Sequence, residues 1–363
     1  MPETTHRSTP FPIVDAHLDV AYNAVVLGRD LSLPIAEIRE EERQHPSEDP
    51  RADPCMVSWP ALVEGRIALI GGSIFVEPGK RSHAKATTTY TTPDEAHTQA
   101  IEQLDYYRRM ADERADVDII TDERVLDRVM DNWTSEAPGV GVFIVMEGAD
   151  PILAPEELMW WAERGVRGVG LSWSAGTRYA GGNANPGPLT DEGQALLHAM
   201  ADLNLLLDIS HLWEEAAYTV VDRYPGPIVA THANPRSFVD SPRQLSDDMI
   251  RRIVEREGVI GGVAFNRMLE EGWRPSRPRL PLSRLVEALD HVCQVAGHAQ
   301  SAGLGSDLDG GFGQSSAPAE LTSVADLHKI ADLLRARGYS EPDIEAVMGG
   351  NWLRVMRQAL AAF

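Results

Sequence analysis

The 363-residue chain carries 55 acidic against 33 basic side chains, a formal charge of −22, which repels phosphate backbones and anionic lipid and so disfavours nucleic-acid and membrane-surface roles. Its length suits one α/β barrel with an ample core better than two average domains, and residues 1–363 read as a single domain. Only Cys55 and Cys293 are present, which excludes a disulfide framework or a Cys-rich zinc site and leaves histidine and carboxylate to bind any metal.

Met1 to Pro10 is polar and reads as a disordered tail, and no later run of ~18 apolar residues offers a membrane span. A soluble, cytoplasmic protein is expected. The first apolar segment, Phe11 to Ala16, leads directly into His17 and Asp19. Side chains two residues apart share a strand face, so this terminus offers an imidazole and a carboxylate together. The stretch Gly28 to Glu64 leaves room for further elements, as does Glu77 to Thr91, which follows the second segment, Arg66 to Phe75. Thr92 and Pro93 read as N-cap and first position of a helix reaching Arg114.

The third segment, Gly139 to Met146, ends at Glu147. Pro155 to Arg164 reads as a helix whose Met159-Trp160-Trp161 cluster belongs to the core or to an oligomer contact, and Gly165 to Leu171 is the fourth segment. The glycine-rich run Ser174 to Asn183 has neither a Gly-Lys-Ser/Thr ending nor a G-x-G-x-x-G before a helix, so it reads as a mobile loop lining a site and not as a phosphate cradle. Tyr179 within it is a candidate for substrate contact or for packing. Leu205 to Ile209 then leads to His211, and Gly226 to Ala230 leads to His232. A helix from Asp247 to Glu257, with Ser246 ahead and Gly258 behind, precedes the segment Gly258 to Ala264. Ala302 to Ser306 runs into Asp307, and Asn351 to Phe363 has the pattern of an amphipathic helix.

Eight strand-like segments alternating with helices predict parallel pairing and a closed (β/α)₈ TIM-like barrel with long βα loops. In such a barrel the strand C-termini meet at one mouth, where His17, Asp19, Glu147, His211, His232 and Asp307 would gather. A dinuclear centre needs a bridging carboxylate to offset the repulsion of two dications. Glu147 is the natural bridge, with His17 and Asp19 on one metal and His211 and His232 on the other. Hydroxide generated between the ions would attack a polarised carbonyl, so no protein nucleophile is needed.

This set resembles the membrane dipeptidase, or renal dipeptidase, family of zinc peptidases over most of the chain. The matching stretches are Asp15-Ala16-His17-Leu18-Asp19, Met146-Glu147-Gly148, Asp208-Ile209-Ser210-His211, Thr231-His232-Ala233-Asn234, Ser241-Pro242-Arg243 and Gly303-Leu304-Gly305-Ser306-Asp307-Leu308-Asp309-Gly310. The resemblance implies two Zn²⁺ ions, a homodimer, and cleavage of dipeptides, including some with a D-residue at the C-terminal position. It also implies that Arg243 grips the substrate carboxylate, with Arg236 as rival, and that Asp307 shuttles a proton or binds the substrate amine. Read as residues alone, Arg243 could instead pair with Asp240 or Asp247 at the surface, and Asp309 could cap the following turn.

One position departs from the family. Where its best-known members carry an oxyanion-stabilising histidine in a Leu-Thr-His context, this chain has Leu171-Ser172-Trp173. An indole N–H donates one hydrogen bond but neither becomes cationic nor shuttles a proton. The expectation is that metals stabilise the oxyanion while Trp173 shapes the pocket. Two other readings stand beside dipeptide hydrolysis: a hydrolase of another small amide, lactone or ester, and a binding protein that holds metals only for stability.

Overall fold

The computed structural model describes residues 11–46, 53–79, 88–135 and 138–361; the predicted tail, Met1 to Pro10, lies outside them, as does the middle of the Glu77 to Thr91 loop. All eight expected strands form: β1 Ile13–Leu18, β2 Ile67–Phe75, β3 Val140–Glu147, β4 Val166–Gly170, β5 Leu206–Asp208, β6 Ile228–Val229, β7 Ile260–Gly262 and β8 Ala302–Leu304. They run parallel in the order β6-β5-β4-β3-β2-β1-β8-β7. A parallel bridge between Ala230 and Ile260 closes the ring, with Ala230 N–H donating to Val259 O at 3.0 Å and Gly261 N–H to Ala230 O at 2.9 Å. The (β/α)₈ barrel is therefore present. One strand of the barrel sheet was not foreseen, Val117–Ile119, which pairs with β3 from outside the ring.

Strands covered on both faces tolerate continuous apolar sequence, and β1, β2 and β3 are buried along their whole lengths. Alternate side chains go opposite ways. Val14, Leu69, Phe143, Val145, Leu206 and Val229 form an inner cluster, whereas Ile13, Ile70, Ile144, Leu207 and Ile228 join the larger layer under the helices. The amphipathic C-terminal helix, Asn351–Leu360, packs against β1, β4 and β8. Its Trp352, Val355 and Met356 belong to the inner cluster, so it seals the barrel at the end where the strands begin. The opposite end, where they finish, is left to loops.

Local signals in the sequence account for several helix limits. Pro93–Glu113 starts in a capping box, Thr92 with Glu95, and Asp247–Glu255 starts where the Ser246 side chain accepts from Met249 N–H. Pro155 begins a 3₁₀ turn that leads into the helix Leu158–Glu163. There Trp161 is buried in the core, but Met159 is 49% exposed, so the aromatic cluster divides between core and surface. The patternless stretch 28–64 contains helices Ile35–Gln44 and Trp59–Glu64. Only Ile38 of the first is buried, which is why no apolar period marked it. Among the described residues no helix is long and apolar enough to cross a membrane.

The β1–β2 pairing contains the irregularity on which the site depends. Asp15 pairs with Ile70, but the next pair is Leu18 with Gly72, so β1 carries an extra residue across Ala16 and His17. A bulge of this kind bends a strand and re-aims a side chain. Gly71 sits opposite, and a Cβ there would lie 1.9 Å from the Ala16 carbonyl oxygen. Replacing Gly71 by alanine is expected to destabilise the fold by at least ~3 kcal/mol, because backbone and not a movable side chain blocks the methyl group; chemical denaturation measures it, and an unchanged midpoint would refute the account of the bulge.

Candidate metal centre

The ends of β1, β3, β5 and β6 bring five polar side chains to one point. Glu147, the last residue of β3, places Oε1 at 2.9 Å from His211 Nε2 and 3.5 Å from His232 Nε2, and Oε2 at 3.3 Å from His17 Nε2. His17 Nε2 is 3.7 Å from Asp19 Oδ1. The rings of His17 and His232 stack with centroids 3.7 Å apart, and the Nε2 atoms of His211 and His232 face each other at 2.9 Å. Two donor sets result, His17–Asp19–Glu147 and Glu147–His211–His232, and Asp307 closes a third with His17 and His232.

These contacts fit cations. His211 Nδ1 lies 3.1 Å from Asn183 Oδ1; an amide oxygen only accepts, so Nδ1 holds the proton and Nε2 presents a lone pair to Glu147. His17 Nε2 is buried without a hydrogen-bond partner. Lone pairs gathered in a dry space repel one another unless positive charge lies between them. The mixture of imidazole and carboxylate suits zinc or a similar first-row metal. The same crowding is visible in the protonation equilibria. Burial opposes charge on His17, yet Glu147 and Asp19 carry its pKa well above the ordinary imidazole value, while burial with His17 and Arg243 nearby holds His232 well below it. Glu147, despite its burial, is held well below the usual carboxylate range by His17 and by the neighbouring His211 and His232.

Other predicted residues surround this centre. Asp307 takes a left-handed backbone, φ 58°, and a Cβ on Gly310 would meet its Oδ1 at 1.8 Å, so glycine is required behind it. Burial, with Asp19 and Glu147 close by, raises the Asp307 pKa well above the carboxylate norm. Arg243 donates to Ser210 O and His232 O, both at 2.8 Å. It bridges the ends of β5 and β6 and does not take the surface pairing with Asp240 or Asp247. Its rival Arg236 is engaged elsewhere, 3.0 Å from Glu214. Trp173 packs 5.1 Å from Phe75 and 6.1 Å from His211, between centroids, and forms a wall of the site.

Three expectations need correction. Tyr179 is not at the site: it is 1% exposed and its hydroxyl donates to Ile152 O, because packing, not substrate, claims its ring. The glycine-rich run is no plain loop, since Ala180–Gly182 pairs antiparallel with Asn185–Leu189 and Asn183 N–H donates to His211 O at 3.0 Å. Asp309 does not cap its following turn. Its carboxylate accepts from Met56 N–H and Val57 N–H at 2.9 Å, and Arg29 lies 3.6 Å away, so it pins the segment before Trp59 to the rim.

Sequence reasoning missed the residues behind the centre: Ser73, whose hydroxyl donates to Asp19, Asn183, Asp208 and Thr231. Asp208 and Thr231 had a signal, being polar residues in apolar strand ends one or three positions before a histidine. Asn183 had none.

A closed parallel barrel whose strand ends hold carboxylates among imidazoles defines a metallohydrolase scaffold. The chain belongs to the membrane dipeptidase family, peptidase family M19, whose model matches residues 4–362. It is similar to an uncharacterized protein from the pqqA 5′ region of Klebsiella pneumoniae, 34% identical over 204 residues, 53% of this chain and 72% of that one. It is also similar to an uncharacterized dipeptidase of Schizosaccharomyces pombe, 27% identical over 300 residues, 79% of this chain and 70% of that one. Among solved structures, a metallo peptidase from Rhodobacter sphaeroides liganded with a phosphinate mimic of L-Ala-D-Ala has the same fold: TM-score 0.77, 22% identity, 96% of this chain and 99% of that one. So does the probable dipeptidase PvdM of Pseudomonas aeruginosa, with TM-score 0.78, 21% identity, 98% of this chain and 96% of that one.

Asp309→Ala is expected to cost ~3 kcal/mol, because two amides and Arg29 lose a buried acceptor. Denaturant titration measures the loss; a value within ~0.5 kcal/mol of wild type would show that the segment is held by other contacts.

Proposed function

We propose that this protein is a two-metal dipeptidase, with zinc at both sites, that cleaves dipeptides bearing a free carboxylate, including those with a C-terminal D-residue. One observation carries the reading: the two oxygens of Glu147 face different histidine sets, as a bridging carboxylate must. Family membership supports the reaction class, and the phosphinate dipeptide mimic in the Rhodobacter sphaeroides neighbour supports the substrate class.

In this reading His17, Asp19 and Glu147 would hold one ion and Glu147, His211 and His232 the other. When bound, such ions supply Lewis acidity toward a carbonyl and acidify water. The chain supplies the rest. Arg243 uses one N–H each on Ser210 O and His232 O, and its remaining N–H groups take the substrate carboxylate, a task for a planar, permanently charged fork. Anchoring that end fixes the scissile carbonyl over the metal centre. Asp307, beside His17 and His232, is placed to take a proton from the attacking water and pass it to the leaving amine. Trp173 excludes water from the side of His211.

A second reading, a hydrolase of another small amide, lactone or ester on this scaffold, is favoured by Trp173, since barrel chemistry is set at the loops. Zinc-loaded protein assayed on dipeptides with L- and D-residues, beside lactone and ester substrates, separates the two; turnover of the latter alone would overturn the dipeptidase reading. Glu147→Gln is expected to lose bound metal and at least ~10³-fold in turnover. An inactive variant that retains both ions by elemental analysis would disprove the bridge. Arg243→Lys should raise KM by ~10- to 100-fold with a smaller change in kcat, the signature of a lost charged hydrogen bond to bound substrate. For Trp173→His the expected result is an altered kcat or substrate preference, and identical kinetics would remove Trp173 from the pocket.

A further inference from the structure

We infer that Thr231 is a positioning residue that couples the two metal sites, its single hydroxyl holding an imidazole of each site in the tautomer that turns Nε2 toward the ions. The inference rests on the two-metal reading above and adds a device behind it.

The hydroxyl oxygen of Thr231 lies 2.5 Å from Asp208 Oδ2, 2.9 Å from His232 Nδ1 and 3.2 Å from His17 Nδ1. A hydroxyl has one proton to donate and two lone pairs to accept with. Its proton goes to the carboxylate, which only accepts and is its shortest contact. Ser210 Oγ lies 3.3 Å away but gives its own proton to Asp208 Oδ1, so both Thr231 lone pairs are left for the histidines and each ring must donate from Nδ1. With Nδ1 protonated, each Nε2 is a bare lone pair. His17 Nε2 is the buried atom without a hydrogen-bond partner, and His232 Nε2 faces Glu147 and His211. In the two-metal reading His17 serves the set with Asp19 and His232 the set with His211, and the two histidines also share a set with Asp307. Thr231 therefore joins from behind what Glu147 joins from the front.

Asp208 is fixed firmly enough to orient that hydroxyl. Its Oδ1 accepts from Ser210 N–H at 3.0 Å, Ser210 Oγ–H at 2.5 Å and Thr231 N–H at 3.0 Å, and the residue is 3% exposed. The Thr231 backbone is equally confined, because its carbonyl oxygen sits where a Cβ on Gly261 or Gly305 would approach to 1.9 or 1.7 Å. Those contacts hold the Thr231 backbone close against Gly261 and Gly305.

The test is cobalt titration of the full chain after metal removal, read by visible absorption and elemental analysis against a competing chelator. Wild type should take up two ions. Thr231→Val keeps the shape and removes the hydroxyl; it should weaken both ions together by about 10- to 100-fold, while Thr231→Ser keeps near wild-type affinity. Asp208→Asn provides an independent arm: three donors at Oδ1 hold the amide oxygen there, so the NH₂ points at Thr231 and forces its proton toward a histidine. With one lone pair taken by that NH₂ and the proton turned to one ring, it should weaken mainly the ion held by that histidine and alter the cobalt spectrum. Thermal unfolding of the metal-free variants checks that each is folded, and if the valine protein is not, the serine and asparagine variants decide. Thr231→Val with wild-type affinity, loss of a single ion in that variant, Asp208→Asn with both ions at wild-type affinity, or Thr231→Ser no better than valine would each overturn the coupling. A wild-type chain holding fewer than two ions would overturn the two-metal reading and this inference with it.

Discussion

The constraint on which this structure turns is the concentration of unshared electron pairs around Glu147. Three imidazole nitrogens stand 2.9 to 3.5 Å from the oxygens of one buried carboxylate, and a second carboxylate lies 3.7 Å from one of those nitrogens. Such an arrangement is stable when cations lie within it and is costly otherwise. A protein can maintain it only by building the surroundings rigidly, because every donor would gain by moving apart.

The barrel provides that rigidity in layers. Parallel pairing places the ends of β1, β3, β5 and β6 around one mouth, and the Trp352 helix seals the other, so the donors stand on strands anchored at depth. The bulge in β1 swings His17 out of simple strand alternation, and Gly71 leaves room for the displaced carbonyl. Behind four of the five donors stands a polar partner: Ser73 behind Asp19, Asn183 behind His211, and Thr231 with Asp208 behind His17 and His232. Such partners fix ring orientation and proton position, which a metal site needs as much as the donors themselves.

The residues proposed to recognise substrate sit on the loops beyond the strand ends. Arg243 belongs to a loop yet is tied to two strand ends, which fixes its position. Trp173 replaces the family's histidine beside His211, and the neighbouring hairpin contributes Asn183 to that same histidine. A change in that hairpin would reach both the pocket wall and the orientation of a metal-binding ring, so specificity and metal binding are joined there.

What the sequence alone determined is local: apolar segments at helix-sized intervals, caps such as Thr92 and Ser246, and metal-binding side chains placed where strands end. These are legible because strand period, capping and the convergence of parallel strands all act over a few residues or follow from one topology. The tertiary structure decided whatever depends on long-range contact. Asn183 reaches His211 only through a hairpin of glycines, Tyr179 leaves the site because the Ile152 carbonyl is available to it, and Asp309 leaves its own turn for amides at Met56 and Val57. The physical reason is that a polar side chain finds its hydrogen-bond partner by proximity in space, and nothing in the sequence around Tyr179 or Asp309 names a partner tens or hundreds of residues away.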